Sequence, residues 1–237
     1  MTYIILAAGQ GTKLQPLTLK TPKSLYKLDK DTTVLQRMVR SIRKYDSEAE
    51  IVVVAGFMYD HILQEIKSEN VIVIRNPFYA ITSSLASLWF ARKYLERENV
   101  TIINADIVLE NRLMEEVICK TTDRPIVLID SSIEKNGKFN VQVQDDKVCV
   151  MSKDLSEFYG QYICITKLDA ISARFLNKEV DSMINDEMYD QLFETALVQM
   201  IFTHDFELYY KDIKGFVWAE IDCVDDLIKA KEVQKRE

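Results

Sequence analysis

The sequence predicts an α/β protein: a doubly wound, mostly parallel (mixed) sheet with helices on both faces, and a smaller second lobe. Three observations predict it. Short β-rich runs recur at residues 3–8, 51–55, 71–75, 100–104 and 126–130. They are apolar on both faces, as strands covered by helices on either side must be. Helical periodicity fills the gaps between them, and strand alternating with helix builds a parallel sheet whose ligands gather at the strands' C-terminal ends. After about residue 131 the rhythm changes.

The first helix follows Asp31-Thr32-Thr33, residues whose side chains cap a helix start. Val34, Leu35, Met38, Val39 and Ile42 then share one face. A second helix is expected over 84–97, with Leu85, Leu88, Trp89 and Leu95 on one stripe and Ser83 and Ser84 at its start. Further on, 141–144 and 147–151 flank Asp145-Asp146 as a hairpin. A strand over 161–166, helices near 167–177 and 187–202, a final strand over 216–221 and a helix from Asp225 complete the reading. No internal repeat or linker divides the chain. It reads as one domain, 1–237, with a first part of about 1–130 and a lobe plus return strand over about 131–237.

The 237 residues suffice for a large buried core, and 48% apolar content with only 6 Gly and 4 Pro argues for a compact fold. A net charge of −7 excludes the broad basic surface that nonspecific nucleic-acid binding needs. An anionic ligand can still be held where basic residues converge in a cleft. No apolar run reaches the ~18 residues of a membrane helix. The opening apolar run lacks a basic n-region and cleavage site and reads as a buried strand, so a cytoplasmic location is expected. Cys119, Cys149, Cys164 and Cys223 form no C-x-x-C pair, and reduced, mostly buried thiols are expected.

The most specific signal lies at the N-terminus. The strand runs through Leu6-Ala7-Ala8 into Gly9-Gln10-Gly11-Thr12-Lys13-Leu14, then Pro16-Leu17-Thr18 and Thr21-Pro22-Lys23-Ser24-Leu25. Glycines let backbone N–H groups approach a phosphate, and two lysines add positive charge. The string is neither a dinucleotide fingerprint, since position 14 is Leu, nor a P-loop. As a whole it resembles the signature of the nucleotidylyltransferases that make sugar-nucleotides and CDP-alcohols. Many members of that superfamily have Arg where this chain has Lys13, which keeps the charge and loses the planar fork.

The resemblance implies roles. Leu6, Ala7, Ala8, Gly9, Gly11, Thr12 and Lys13 would line the nucleotide, with Lys13 on the outer phosphates and Lys23 on the α-phosphate. Two acidic strand ends, Asn104-Ala105-Asp106 and Trp218-Ala219-Glu220-Ile221-Asp222, supply carboxylates of the kind Mg²⁺ prefers. In the family the equivalents of Asp106 and Asp222 bind the metal; spacing alone does not bring them together. Glu220, which shares a strand face with Asp222, is expected to support the metal from behind its direct ligands or through water, and to contact the acceptor.

The middle segment, Asn76-Pro77-Phe78-Tyr79 and Ser83-Ser84-Leu85-Ala86-Ser87-Leu88-Trp89, resembles the phosphocholine cytidylyltransferase branch, with Asn76 and Ser84 as base or ribose contacts. Many members of that branch have paired Asn where this chain has Ser83-Ser84. The resemblance also implies that Lys153 reaches the acceptor's phosphate. Tyr159, Tyr162, Tyr189 and Trp218 are the aromatic candidates for a cationic acceptor head, which cation–π attraction would hold.

The expected activity is Mg²⁺-dependent transfer of a nucleotidyl group, CTP favoured, to a small phosphomonoester with release of pyrophosphate. The alternatives are a sugar-1-phosphate nucleotidylyltransferase using UTP or dTTP, and a noncatalytic nucleotide-binding module. Expected partners are the nucleotide and a small phosphorylated acceptor, with neither nucleic acid nor membrane; association of copies is left open. His61 and Glu65, one helical turn apart, are too few to hold a metal.

Overall fold

The computed structural model describes residues 1–133 and 139–235. The expected first strand is β1 (Thr2–Ala7), buried throughout. It leads through three short 3-10 turns to α1 (Val34–Tyr45). Thr33 closes a capping box on α1: its hydroxyl accepts from the Gln36 N–H at 3.3 Å, and the Gln36 side chain accepts from the Thr33 N–H at 3.2 Å. β2 (Glu50–Ala55), α2 (Tyr59–Glu65), β3 (Ile72–Arg75) and α3 (Ser84–Phe90) follow. The single helix expected over 84–97 is split. α3 ends at Phe90, and a 3-10 segment, Arg92–Glu96, carries Tyr94 and Leu95 into the core.

β4 (Asn99–Asn104) is followed at once by β5 (Ile107–Leu109), a strand of three residues that periodicity does not reveal, then α4 (Asn111–Leu113) and a π turn. β6 (Ile126–Asp130) lies where expected. The hairpin is β7 (Asn140–Gln144) and β8 (Lys147–Ser152). Asp145 and Asp146 both have positive φ (49° and 65°), the hand that tight hairpin turns require.

β9 (Gly160–Asp169) runs longer than expected, so the next helix, α5 (Ala170–Asn185), starts later. Lys167 explains the difference. It is a buried strand residue whose ammonium donates to the carbonyls of Val117, Ile118 (3.2 Å) and Lys120 (2.6 Å) at the end of the π turn. α6 (Phe193–His204) also starts late, because the preceding loop is pinned to α3: Ser83 N–H donates to Tyr189 O and Leu85 N–H to Gln191 O. β10 (Tyr209–Asp212), β11 (Trp218–Glu220) and α7 (Val224–Lys235) end the fold.

The main sheet has nine strands in the order β3-β2-β1-β4-β9-β6-β10-β8-β7. β3, β2, β1 and β4 are parallel, and β9 enters antiparallel to β4 and β6, giving a mixed sheet. β7 pairs with β9 as well as β8, so β9, β6, β10, β8 and β7 close into a small barrel-like ring. The chain winds outward from β1 through β2 to β3, then returns to β4 on β1's other side. That reversal opens a crevice beyond the C-terminal ends of β1 and β4.

The four cysteines are free thiols. Only Cys164 is buried and Cys223 is exposed, which corrects the expectation of mostly buried thiols. Among the described residues no helix is long and apolar enough to cross a membrane.

Candidate active site

Two clefts meet at the reversal point. The smaller, about 340 Å³, lies over the loop leaving β1, with Ala8, Gly9, Tyr79 and Ser83 among its walls. The larger, about 1120 Å³, extends towards β9, β11 and α6. Gly11, Thr12, Lys23, Ser84, Asn104 and Asp106 line both.

Gly11 shapes the turn. Its φ of 64° lies in the left-handed region, and its carbonyl accepts from the Thr18 hydroxyl at 2.8 Å. A Cβ there would stand 2.8 Å from Thr18 Cγ2 and 2.9 Å from Lys23 Cγ. The stem of Lys23 therefore lies across Gly11. Its ammonium reaches Asp222 at 2.6 Å and Asp106 at 3.4 Å.

The two aspartates meet through backbone pairing. β11 runs antiparallel to β5, with Glu220 opposite Ile107 and Ala219 opposite Val108. The Ile221 N–H then donates to Asp106 O at 2.9 Å. Carboxylate oxygens of Asp106, Glu220 and Asp222 all fall within 4.8 Å of one another. Three hard oxygen donors at that spacing fit a cation such as Mg²⁺. A second anchor holds the loop behind Asp222, where the Asp226 carboxylate accepts from the N–H groups of Asp222 and Cys223.

Leu6, Ala7, Ala8, Gly9 and Thr12 line the smaller cleft, while Lys13 and Lys153 line the larger one. Ser84 lies at the junction, its hydroxyl accepting from Phe193 N–H at 2.9 Å. Asn76 is placed differently from the nucleotide contact expected of it. It is buried, and its amide is consumed by Thr82, Ser87 and the Phe78 N–H, so it braces the loop before α3.

Three aromatic candidates line neither cleft: Tyr162 is buried, its hydroxyl 2.8 Å from Thr166 Oγ1, Tyr159 packs on Tyr210 at the surface, and Tyr189 is exposed. Trp218 does line the larger cleft, and its indole N–H donates to Asp130 at 2.8 Å.

Among the described residues, sequence reasoning missed one buried polar atom without a hydrogen-bond partner in each cleft. Ser24 lines the smaller cleft with its hydroxyl buried and without a hydrogen-bond partner. Glu194, 4% exposed on the first turn of α6, lines the larger cleft, and its Oε2 also lacks a partner. Burial pushes the Glu194 carboxyl up to about 7; the Glu220 charge adds to the rise, and Lys153 opposes it. Asp130, Glu194 and Glu220 line this cleft together with Lys13 and Lys153, and Lys153 is near enough to Glu194 to oppose the rise.

Known proteins resemble this chain in sequence and fold. A choline-phosphate cytidylyltransferase of Streptococcus pneumoniae is 25% identical over 239 residues, spanning 100% of each chain. A 2-aminoethylphosphonate cytidylyltransferase of Lancefieldella rimae is 24% identical over 226 residues, 94% of this chain and 89% of the relative. The solved structure of the CTP:phosphocholine cytidylyltransferase from Streptococcus pneumoniae shares the mixed α/β fold, with a TM-score of 0.79, 21% identity and 98% of each chain covered. The family model of the MobA-like NTP transferase domain matches residues 3–162. This chain belongs to that family and is a nucleotidylyltransferase.

Proposed function

We propose that the chain is a Mg²⁺-dependent cytidylyltransferase that joins CMP, taken from CTP, to a small phosphorylated amino compound and releases pyrophosphate. The observation that carries this reading is the junction of the two clefts at Lys23 and Asp106. A nucleotide in the smaller cleft and an acceptor in the larger would present their reacting phosphates to the same lysine. The names of the relatives, which act on choline phosphate and 2-aminoethylphosphonate, support both the nucleotide and the acceptor class.

In the reaction an acceptor phosphate oxygen, already anionic near neutral pH, attacks the α-phosphorus. The new O–P bond forms as the bond to the bridging oxygen breaks, and that electron pair leaves with pyrophosphate. No proton has to move, so the site needs no general base. Its work is positioning and charge neutralisation. Backbone amides from Ala8 to Thr12 would hold the β- and γ-phosphates, with Lys13 reaching them from the larger cleft's side of Thr12, and Lys23 would hold the α-phosphate. Asp106 and Asp222, with Glu220, would hold Mg²⁺, which when bound supplies further neutralisation of phosphate charge.

The carboxylates of the larger cleft favour an amino acceptor over a sugar phosphate. A cationic head would give Glu194 Oε2 the partner it lacks, beside Trp218 and Asp130, while Lys153 takes the phosphate. In this reading residues 1 to about 130 form the nucleotide-binding half of a doubly wound sheet. Residues from about 131 to 237 supply the acceptor lobe and the return strand with the second metal ligand.

The test is pyrophosphate release with Mg²⁺, crossing CTP, UTP, dTTP, ATP and GTP against phosphocholine, phosphoethanolamine, 2-aminoethylphosphonate, phosphorylated amino acids and amides, and sugar phosphates. Turnover with CTP and an amino acceptor is the expected result. Turnover confined to UTP or dTTP with sugar 1-phosphates would replace the reading, and no turnover with any pair would overturn it.

A further inference from the structure

We infer that Lys23 is a resident counter-cation of the metal site, one that must leave the acidic cluster before a divalent ion can enter, so that metal and nucleotide bind together. The inference rests on the reading of Asp106 and Asp222 as metal ligands. The Lys23 ammonium stands 2.6 Å from Asp222 and 3.4 Å from Asp106, with only 15% of its side chain exposed. It therefore takes up the negative charge, and the space beside it, that the ion would use. A monovalent ammonium and a divalent ion at contact distance from the same carboxylates repel strongly in a partly buried site.

Lys23 also lines the nucleotide cleft. Its four-carbon stem is flexible, and an ammonium is a point charge satisfied by carboxylate or phosphate alike. An arriving triphosphate offers the ammonium a new partner and vacates the carboxylates in one event. Without the triphosphate, the ion competes with a charge already in place. Metal and nucleotide are then coupled through one side chain. Linkage requires the coupling to be reciprocal, with a typical size of ~5–150-fold.

The experiment is Mn²⁺ binding followed by electron paramagnetic resonance, with and without CTP and with no acceptor present. The proteins are wild type, Lys23→Met, Lys23→Arg and Asp222→Asn. Lys23→Met is expected to bind nucleotide-free Mn²⁺ tighter than wild type by ~5–150-fold, so that CTP tightens Mn²⁺ binding less in the variant than in wild type. Lys23→Arg keeps the charge and should stay near wild type.

Equal nucleotide-free affinity in wild type and Lys23→Met overturns the exchange. If Asp222→Asn in addition binds Mn²⁺ with CTP as well as wild type does, the assignment of the metal ligands falls too. Wild-type protein alone gives an independent reading. Its melting temperature should rise with Mn²⁺ plus CTP and hold with Mn²⁺ alone, and a rise of the same size with Mn²⁺ alone overturns the exchange.

Discussion

The carbonyl of Asp106 accepts a hydrogen bond from the Ile221 N–H at 2.9 Å, and this contact continues the β5–β11 ladder to the point where the chain's two acidic strand ends meet. Local folding alone does not join segments so far apart. The pairing also forces Asp106, Glu220 and Asp222 into mutual repulsion, which Lys23 offsets only in part. A site that holds like charges together trades stability for function.

Asp106→Asn should separate those two quantities. Turnover is expected to fall ~10²–10³-fold, the usual loss for one electrostatic contact to a transition state. The melting temperature should hold or rise, because one of three crowded charges is removed. Pyrophosphate-release kinetics and thermal melts on the same preparation check this. Comparable turnover in a folded variant would remove Asp106 from the machinery. The same kinetic loss is expected for Lys23→Ala.

The two glycines of the first loop should respond differently to alanine. Gly11→Ala must adopt a positive φ and also displace Thr18 and Lys23, so a cost of ~1–3 kcal/mol in stability is expected, with turnover falling as Lys23 moves. At Gly9 a Cβ meets nothing within 4 Å. Gly9→Ala should melt within ~0.5 kcal/mol of wild type, as for a substitution without new contacts. Its methyl group would intrude on the phosphate-binding face, so a raised KM for CTP with an unchanged KM for acceptor is expected. Equal melting of the two variants would mean that the Gly11 turn is not strained.

Much of this site was legible because its signals are local. Residues 6–23 carry loop, lysines and turn in one contiguous string, and the buried strands announce themselves by unbroken apolar runs. What was illegible depends on pairing. β5 is too short to show a period, yet it delivers Asp106 to Asp222. Along β9, Gln161 and Cys164 both line the larger cleft, although strict alternation would put them on opposite faces. The register shift between β6 and β9 and the positive φ of Cys164 (57°) reset the alternation. That is why Tyr162, chosen by sequence proximity, is buried and does not line the cleft with Cys164.

Trp218→Phe should report on the acceptor side alone. It removes the indole N–H that Asp130 accepts at 2.8 Å, leaving a carboxylate oxygen in a buried residue short of one partner. A loss of ~1–3 kcal/mol is expected. KM for the acceptor should rise while KM for CTP stays constant, as steady-state kinetics varying each substrate would show. A rise confined to KM for CTP would place Trp218 on the nucleotide instead.

Glu194 makes the pH dependence specific. Its carboxyl is raised from 4.5 to about 7 in the folded protein, chiefly by burial. Below pH 4.5 it is protonated folded and unfolded, and costs nothing. As pH rises to about 7, the unfolded chain gives up a proton that the folded chain keeps, so stability falls across that window and then levels. Glu194→Gln has no such proton. The variant should match wild type near pH 4.5 and exceed it by up to about 3 kcal/mol at pH 8, because each tenfold change in proton affinity is worth about 1.4 kcal/mol. Denaturant unfolding at both pH values measures the gap, and an equal gap at the two would show that the carboxyl is not held protonated. The cationic acceptor should act in the opposite direction, drawing the proton off Glu194 as it binds. Acceptor affinity in wild type is therefore expected to strengthen as pH rises towards about 7. Calorimetry in buffers of different ionisation enthalpy should detect proton release, and Glu194→Gln should lower both effects to what the acceptor phosphate's own titration at about pH 6 supplies.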